Sequence, residues 1–201
     1  MWSGESERYR YARGDDLPAI ADMLQDPEVG RWLWFCPISP AGVREYFTPF
    51  LDRQQAELAA GATPASAVFV VEDEDGRFLG QGATVEVAGS PGGFEIGYQL
   101  CRHAWGRGVG SRLAAFLCAY AVRIGAAHRI EAGCLEGNLG SRRILEGLGL
   151  RCEGVRPGYR LKEGARHTEC LYGAETTNLD LAAIDGAADA LGLRAHRSDG
   201  K

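Results

Sequence analysis

The sequence predicts a mixed α/β domain on one central sheet of about seven strands, in the order β-α-α-β-β-β-α-β-α-β-β. Three observations carry this. Three strand-like segments follow one another over residues 65–101 with only turns between them, so they pair as hairpins. A glycine-rich turn then opens one long apolar helix, which must cross over to reach the next strand. A fifth strand, a short helix and two closing strands complete the set. Hairpin strands and strands joined through a helix together make a sheet of mixed sense.

The elements follow in order. "RYRYAR" alternates and is rich in Tyr, a short first strand. In "GDDLPAIADMLQD", Asp15 or Asp16 caps a helix with Leu17, Ile20 and Leu24 on one face. "PEVGRWLWFCPIS" is a loop whose Trp32, Trp34 and Phe35 either pack or line a pocket. Ser39 and Pro40 start a second helix, which Pro49 is expected to kink or restart at Thr48 and which ends near Gly61. "ASAVFVVED", "FLGQGATVEV" and "FEIGYQLC" are the second to fourth strands, and Gly97 inside the fourth suggests a bulge or a close backbone neighbour. The main helix runs over about residues 108–123, with Leu113, Phe116, Leu117, Tyr120 and Ile124 on one face and Gly125 as its C-cap. "HRIEAGCL" is a fifth strand, and a short helix starts at Ser141. "LRCEGV" and "HTECLYGAE" are the last strands, joined by the loop "RPGYRLKEGAR". Residues 1–177 form the domain, and 178–201 a helical tail with a polar end.

Composition narrows the function. A chain of 201 residues suits one domain, and 45% hydrophobic residues supply a core. A net charge of −5 argues against a general nucleic-acid binder. The six cysteines form no CxxC pair and have no His cluster beside them, so neither a metal centre nor a disulfide framework is expected; a reducing cytoplasm is. No apolar stretch reaches the length of a membrane span, and the first residues do not read as a signal peptide.

The chemistry-bearing stretch is "HAWGRGVGSRLAAFLCAY", residues 103–120. The first amides of a helix have no partner within it, and the helix dipole is positive there, so this end suits a phosphate. Gly108 and Gly110 remove side chains that would hold a phosphate away, and Arg107 and Arg112 add positive charge. It is not a P-loop, because no Lys follows the glycines. It is not a dinucleotide fingerprint either, because Ser111 stands where the third glycine belongs. Spacing alone leaves phosphate binding and a packing turn both open.

"WGRGVGSRL" resembles the pyrophosphate-binding signature of the GNAT acyltransferase superfamily, with Trp105 in place of its usual Gln or Arg. That departure, together with "EIGYQL", "NLGSRRILEGLGLRCEGVRP" and "EGARHTECLYG", is similar to the RimJ/RimL-like branch over residues 8–175. The resemblance implies a GNAT fold with splayed fourth and fifth strands, and acetyl-CoA or another acyl-CoA as donor. Its pyrophosphate would rest on the amides of Arg107, Gly108, Val109, Gly110 and Ser111. Its pantetheine arm would pair with main chain around Gln99, Leu100, Cys101 and Arg102, as an added strand does. The resemblance also brings Asn138 to the pantetheine arm and Ser141 to the thioester as general acid. Ser141 equally suits the N-cap of its own helix.

Attack of an amine on a thioester requires a neutral amine, donors for the carbonyl oxygen, and a proton for the thiolate. Deprotonating an alkyl amine at pH 7 costs about 4 kcal/mol and an α-amine about 1 kcal/mol. Glu95 on the fourth strand is the first candidate base, with Glu86 and Glu131 as alternatives. Backbone N–H groups near Leu100 and Cys101 would serve the oxygen, each worth ~3 kcal/mol. The acceptor would enter between the first helices and the last strands, lined by Trp32, Trp34, Phe35, Tyr159 and Arg160. The expected activity is N-acyl transfer to a primary amine of a protein N-terminus or small molecule, without nucleic acid or membrane. Two other readings stand beside it. One is a GNAT-shaped acyl-CoA binding module without turnover. The other is a homodimer formed through the tail, whose Leu179, Ile184 and Leu191 suggest a docking face.

Overall fold

The structure, a computed structural model, describes residues 1–3 and 6–193. Among them eight strands form one sheet in the order β1-β2-β3-β4-β5-β6-β8-β7. The strands are β1 (Trp2–Ser3), β2 (Glu7–Tyr11), β3 (Ala67–Asp73), β4 (Phe78–Glu86), β5 (Gly93–Leu100), β6 (Arg129–Leu135), β7 (Arg151–Lys162) and β8 (Ala165–Glu175). All neighbours are antiparallel except β5 and β6, which the main helix connects. The strand beyond the expected seven is β1, held at the edge by Trp2 packing on Tyr11, Phe69 and Phe116.

Two layers cover the sheet. On one face lie α1 (Leu17–Gln25), α2 (Pro27–Gly30) and α3 (Pro40–Ala59), packed through Ile20, Leu24, Val43, Phe47 and Leu51. On the other lie α4 (Val109–Arg123), α5 (Leu139–Gly147) and α6 (Leu181–Ala190). Residues 67–71 of β3 are buried throughout, as a central strand covered on both faces must be. The buried Gln54 fastens α3 to the sheet, donating to Ala12 O at 3.0 Å and accepting from Val68 N at 2.8 Å. Pro49 does not break α3. It sits on the exposed side, where the carbonyl it leaves without a donor is free to meet water.

The C-terminal segment belongs to the second layer. Leu179, Ile184, Ala188 and Leu191 join the core with α4, and Arg123 pairs with Asp185. The apolar face that suggested docking is thus covered by this chain's own main helix; residues 194–201 lie outside the described residues. Gly125 is not the left-handed cap residue, a conformation that Ala126 takes instead (φ 50°). Gly125 is small because Phe94 Cζ would stand 2.5 Å from its Cβ.

The feature that builds the site is a gap. β5 and β6 pair only at Gly93↔Arg129, Phe94↔Ile130 and Glu95↔Glu131, and then diverge although both continue. Gly97 does not open the gap through a bulge, because the β4–β5 register runs unbroken through Ala83↔Gly97.

Candidate active site

Cys101 N donates to Leu79 O at 2.9 Å, which makes Cys101 and, by the alternation of an antiparallel ladder, Gln99 the residues that bond back to β4. Tyr98 and Leu100 therefore turn their main-chain groups the other way, into the gap. The expectation of paired donors at Leu100 and Cys101 is corrected here: the Cys101 N–H is already spent, and the Leu100 N–H is the one directed at the gap. Trp105 Nε1 donates to Leu100 O at 3.0 Å, so the residue replacing the usual Gln or Arg fastens the loop to the strand end.

The gap opens into a cleft of about 600 Å³. Tyr98, Gln99 and Leu100 line it from β5, Gly106, Gly108, Gly110 and Ser111 from the glycine loop, and Asn138 and Ser141 from α5. Gly106 (φ 71°) and Gly108 (φ 76°) take left-handed conformations that other residues enter at a cost. A Cβ on Gly110 would stand 2.9 Å from Ile144 Cδ1 and 3.4 Å from Leu100 Cδ1, closing the cleft wall. Among the described residues the amides of residues 106–111 donate to no main-chain oxygen. They converge where α4 begins, an arrangement suited to an anion. Val109 contributes only its amide, since its side chain is in the core.

Other predicted residues stand elsewhere. Arg112 lies against the loop, its guanidinium 2.7 Å from where a Cβ on Gly108 would stand, but its bonds go to other groups. It holds the buried carboxylate of Glu7, with Nε at 2.8 Å, and donates to Arg107 O at 3.0 Å. Arg107 remains exposed beside the loop. Arg102 lies in a short turn (Arg102–Ala104) and lines a different hollow with Asp22, Asp26 and Cys101, away from the cleft. The side chain of Cys101 packs toward the α1–α3 layer, and burial pushes its thiol up to about 11.

Asn138, not Ser141, caps α5: its Oδ1 accepts the Ser141 N–H at 3.1 Å. This frees the Ser141 hydroxyl, which lies 3.1 Å from the Tyr98 hydroxyl. Tyr98 comes from "EIGYQL", where the sequence assigns a catalytic part to Glu95 but none to Tyr98. A Tyr at an inward position facing a diverging strand was the available signal.

The opposite face of β5 carries Glu95, on the side of the sheet shared by its register partners Val85 and Glu131. Glu86 pairs with Phe94 and so projects to the other face, which removes it as an alternative. Glu131 is paired with Arg129 at 2.7 Å, whereas Glu95 has no ion pair among the described residues. Glu95 is open to solvent yet crowded enough by protein that burial, then the Glu131 carboxylate, raises its pKa above the ordinary carboxylate value, with Arg160 opposing. Gly97 and Gly133 beside it are exposed and leave the floor of this trough bare.

The wall of the trough comes from β7 and β8. They do not end in a long loop; they run on to a tight turn at Glu163 and Gly164, with an irregularity between Arg156 and Arg160 that projects Tyr159. Arg160 lies over Trp34 at 4.4 Å and near Tyr159 at 5.0 Å. Its Nε donates to Glu169 Oε1 at 2.7 Å, and Arg156 reaches the same carboxylate at 3.4 Å. Glu169 is 3% exposed and unpredicted from the sequence; its signal was two arginines, Arg156 and Arg160, four apart with no acid between them. Lys162 at the hairpin tip donates to Gly30 O and, at 3.1 Å, to Leu33 O, tying the hairpin to the tryptophan loop. Trp34, Tyr159 and Arg160 thus meet. Trp32 does not join them: it stacks with Arg31 and lines the cleft near Gly137. Phe35 packs on the α1–α3 core, edge-on to Trp34.

Residues 8–151 match the acetyltransferase (GNAT) domain family. The chain belongs to the GNAT family. A search of curated proteins gave no match. Solved structures share the fold at low identity. RimJ of Mycobacterium smegmatis in complex with CoA-disulfide is 24% identical, with TM-score 0.72 over 93% of this chain and 90% of that one. The spermidine N-acetyltransferase of Vibrio cholerae in complex with CoA and spermine is 17% identical, with TM-score 0.72 over 86% and 96%. The ribosomal-protein-S5-alanine acetyltransferase of Vibrio fischeri is 20% identical, with TM-score 0.68 over 87% and 96%.

Proposed function

We propose that this GNAT protein is an acyl-CoA-dependent N-acyltransferase of the RimJ/RimL-like kind, most often using acetyl-CoA, that acylates a primary amine in a ternary complex. The observation that carries the reading is the set of loop amides without a partner among the described residues, beside a strand end whose main chain faces an open gap. The loop amides of residues 106–111 hold the pyrophosphate, and exposed Arg107 adds charge. The main-chain groups of Tyr98 receive the amide-rich arm as a strand edge receives a peptide. When bound, acetyl-CoA supplies a thioester carbonyl open to attack by an amine. The Leu100 N–H serves the carbonyl oxygen, and Ser141 gives a hydrogen bond to the leaving sulfur.

Glu95 accepts the amine proton, directly or through a water. Its raised pKa brings it nearer to neutral pH, where a general base is most effective. The trough around Glu95 is open rather than closed, which favours an acceptor that extends past the surface. A polypeptide N-terminus meets this, and its α-amine is the cheaper to deprotonate, at about 1 kcal/mol. Trp34, Tyr159 and Arg160 then flank the acceptor chain.

The test is incubation with acetyl-CoA and a panel of peptide α-amines, a lysine side chain, a polyamine and an amino sugar, read by product mass. The reading expects one acetyl group on peptide α-amines first. Coenzyme A binding without acylation of any amine would instead support a binding module, and absence of coenzyme A binding would overturn both.

A further inference from the structure

We propose that Tyr98 is a positioning residue that fixes the direction of the Ser141 hydroxyl hydrogen, aiming it into the cleft. The inference rests on the part given to Ser141 above. It begins from an inventory of donors and acceptors. The Tyr98 and Ser141 hydroxyls are 3.1 Å apart, and either could donate by distance alone. Both side chains are half-buried and line the cleft, so acidity decides between them: a phenol is the stronger donor, and an aliphatic hydroxyl oxygen the better acceptor. The Tyr98 hydroxyl has no other hydrogen-bond partner among the described residues, so Ser141 is where its hydrogen goes. Accepting leaves the Ser141 hydrogen free to point into the cleft. Tyr98 therefore donates and Ser141 accepts.

The other atoms of Ser141 are equally committed. Its N–H is held by Asn138 Oδ1, which fixes the residue in the first turn of α5. Cys134 is the neighbouring competitor for its hydrogen. Burial pushes that thiol up to about 11, so it stays neutral, and a neutral thiol is a weak acceptor. Burial also raises the Tyr98 phenol, keeping it protonated as a donor. A thiolate developing in the cleft is the stronger acceptor and takes the Ser141 hydrogen. In the overall exchange the C–S bond breaks, the N–C bond forms, and the proton lost by the amine is balanced by one gained at sulfur.

The experiment titrates the thiol of coenzyme A bound to the wild type, Tyr98→Phe, Ser141→Ala and the double variant, following thiolate absorbance against pH. The bound thiol is expected to titrate about one unit higher in Tyr98→Phe than in the wild type, a tenfold change in ionisation. Ser141→Ala added to Tyr98→Phe should shift it little further, because both act through one hydrogen. With acetyl-CoA and a peptide bearing a free α-amine, kcat should fall about tenfold in Tyr98→Phe while coenzyme A affinity changes less than about twofold. A wild-type titration in Tyr98→Phe, or fully additive shifts, overturns the positioning role. A Ser141→Ala complex that titrates as the wild type overturns the part given to Ser141 as well. Coenzyme A that binds to none of the four proteins removes the donor reading itself.

Discussion

On one side of β5, Tyr98 and Leu100 turn main-chain groups into a gap bounded by the glycine loop; on the other, Glu95 stands in a trough walled by the β7–β8 hairpin. The first side is made of backbone. Its shape follows from glycines at positive φ, a helix start without partners and two strands that stop pairing. The second is made of side chains brought from far apart, with Arg160 on Glu169 and Trp34, and Lys162 on the tryptophan loop. A donor common to a family can be held by backbone, which tolerates sequence change. An acceptor particular to one protein has to be recognised by side chains, which can vary while the fold stays.

Substitutions on the two sides should therefore fail in different ways. The largest effect is expected from Gly110→Leu, which fills the cleft wall between Leu100 and Ile144. Calorimetry should find coenzyme A affinity down by about 100-fold or more, roughly 3 kcal/mol. Glu95→Gln should lower kcat by about 100-fold, within the range for a general base, with coenzyme A affinity unchanged. Equal loss of both would mean that β5 does not separate the two functions. Arg160→Met should raise the KM for the acceptor several-fold, about 1 kcal/mol, and leave the KM for acetyl-CoA alone. The smallest effect is a pH shift. Activity should fall as Glu95 becomes protonated, so the acid limb of kcat/KM sits above the ordinary carboxylate range. Glu131→Gln removes a neighbouring negative charge and should move that limb to lower pH; movement to higher pH would exclude Glu95 as the titrating group.

The same division explains what was legible in the sequence. The glycine loop, the helix behind it and the strand order could be read because each depends on local spacing. Asn138 and Ser141 were found together, but their local parts were exchanged: the cap belongs to Asn138, since helix geometry begins two residues before Ser141. Cys101 looked equivalent to Leu100, and only the β4 ladder distinguishes the strand's two edges. Glu169 and Lys162 could not be seen, because their partners are set by the folding of a hairpin over a distant loop. Trp34 and Arg160 were named as lining, yet their contact is tertiary and no spacing announces it.

The central claim, that β5 divides donor from acceptor, is tested most directly by amide hydrogen exchange with coenzyme A added. The account predicts protection at Tyr98, Leu100 and residues 106–111, with residues 156–162 of the hairpin unchanged. Protection confined to the hairpin and the Glu95 trough, with the glycine loop exchanging as before, would contradict it.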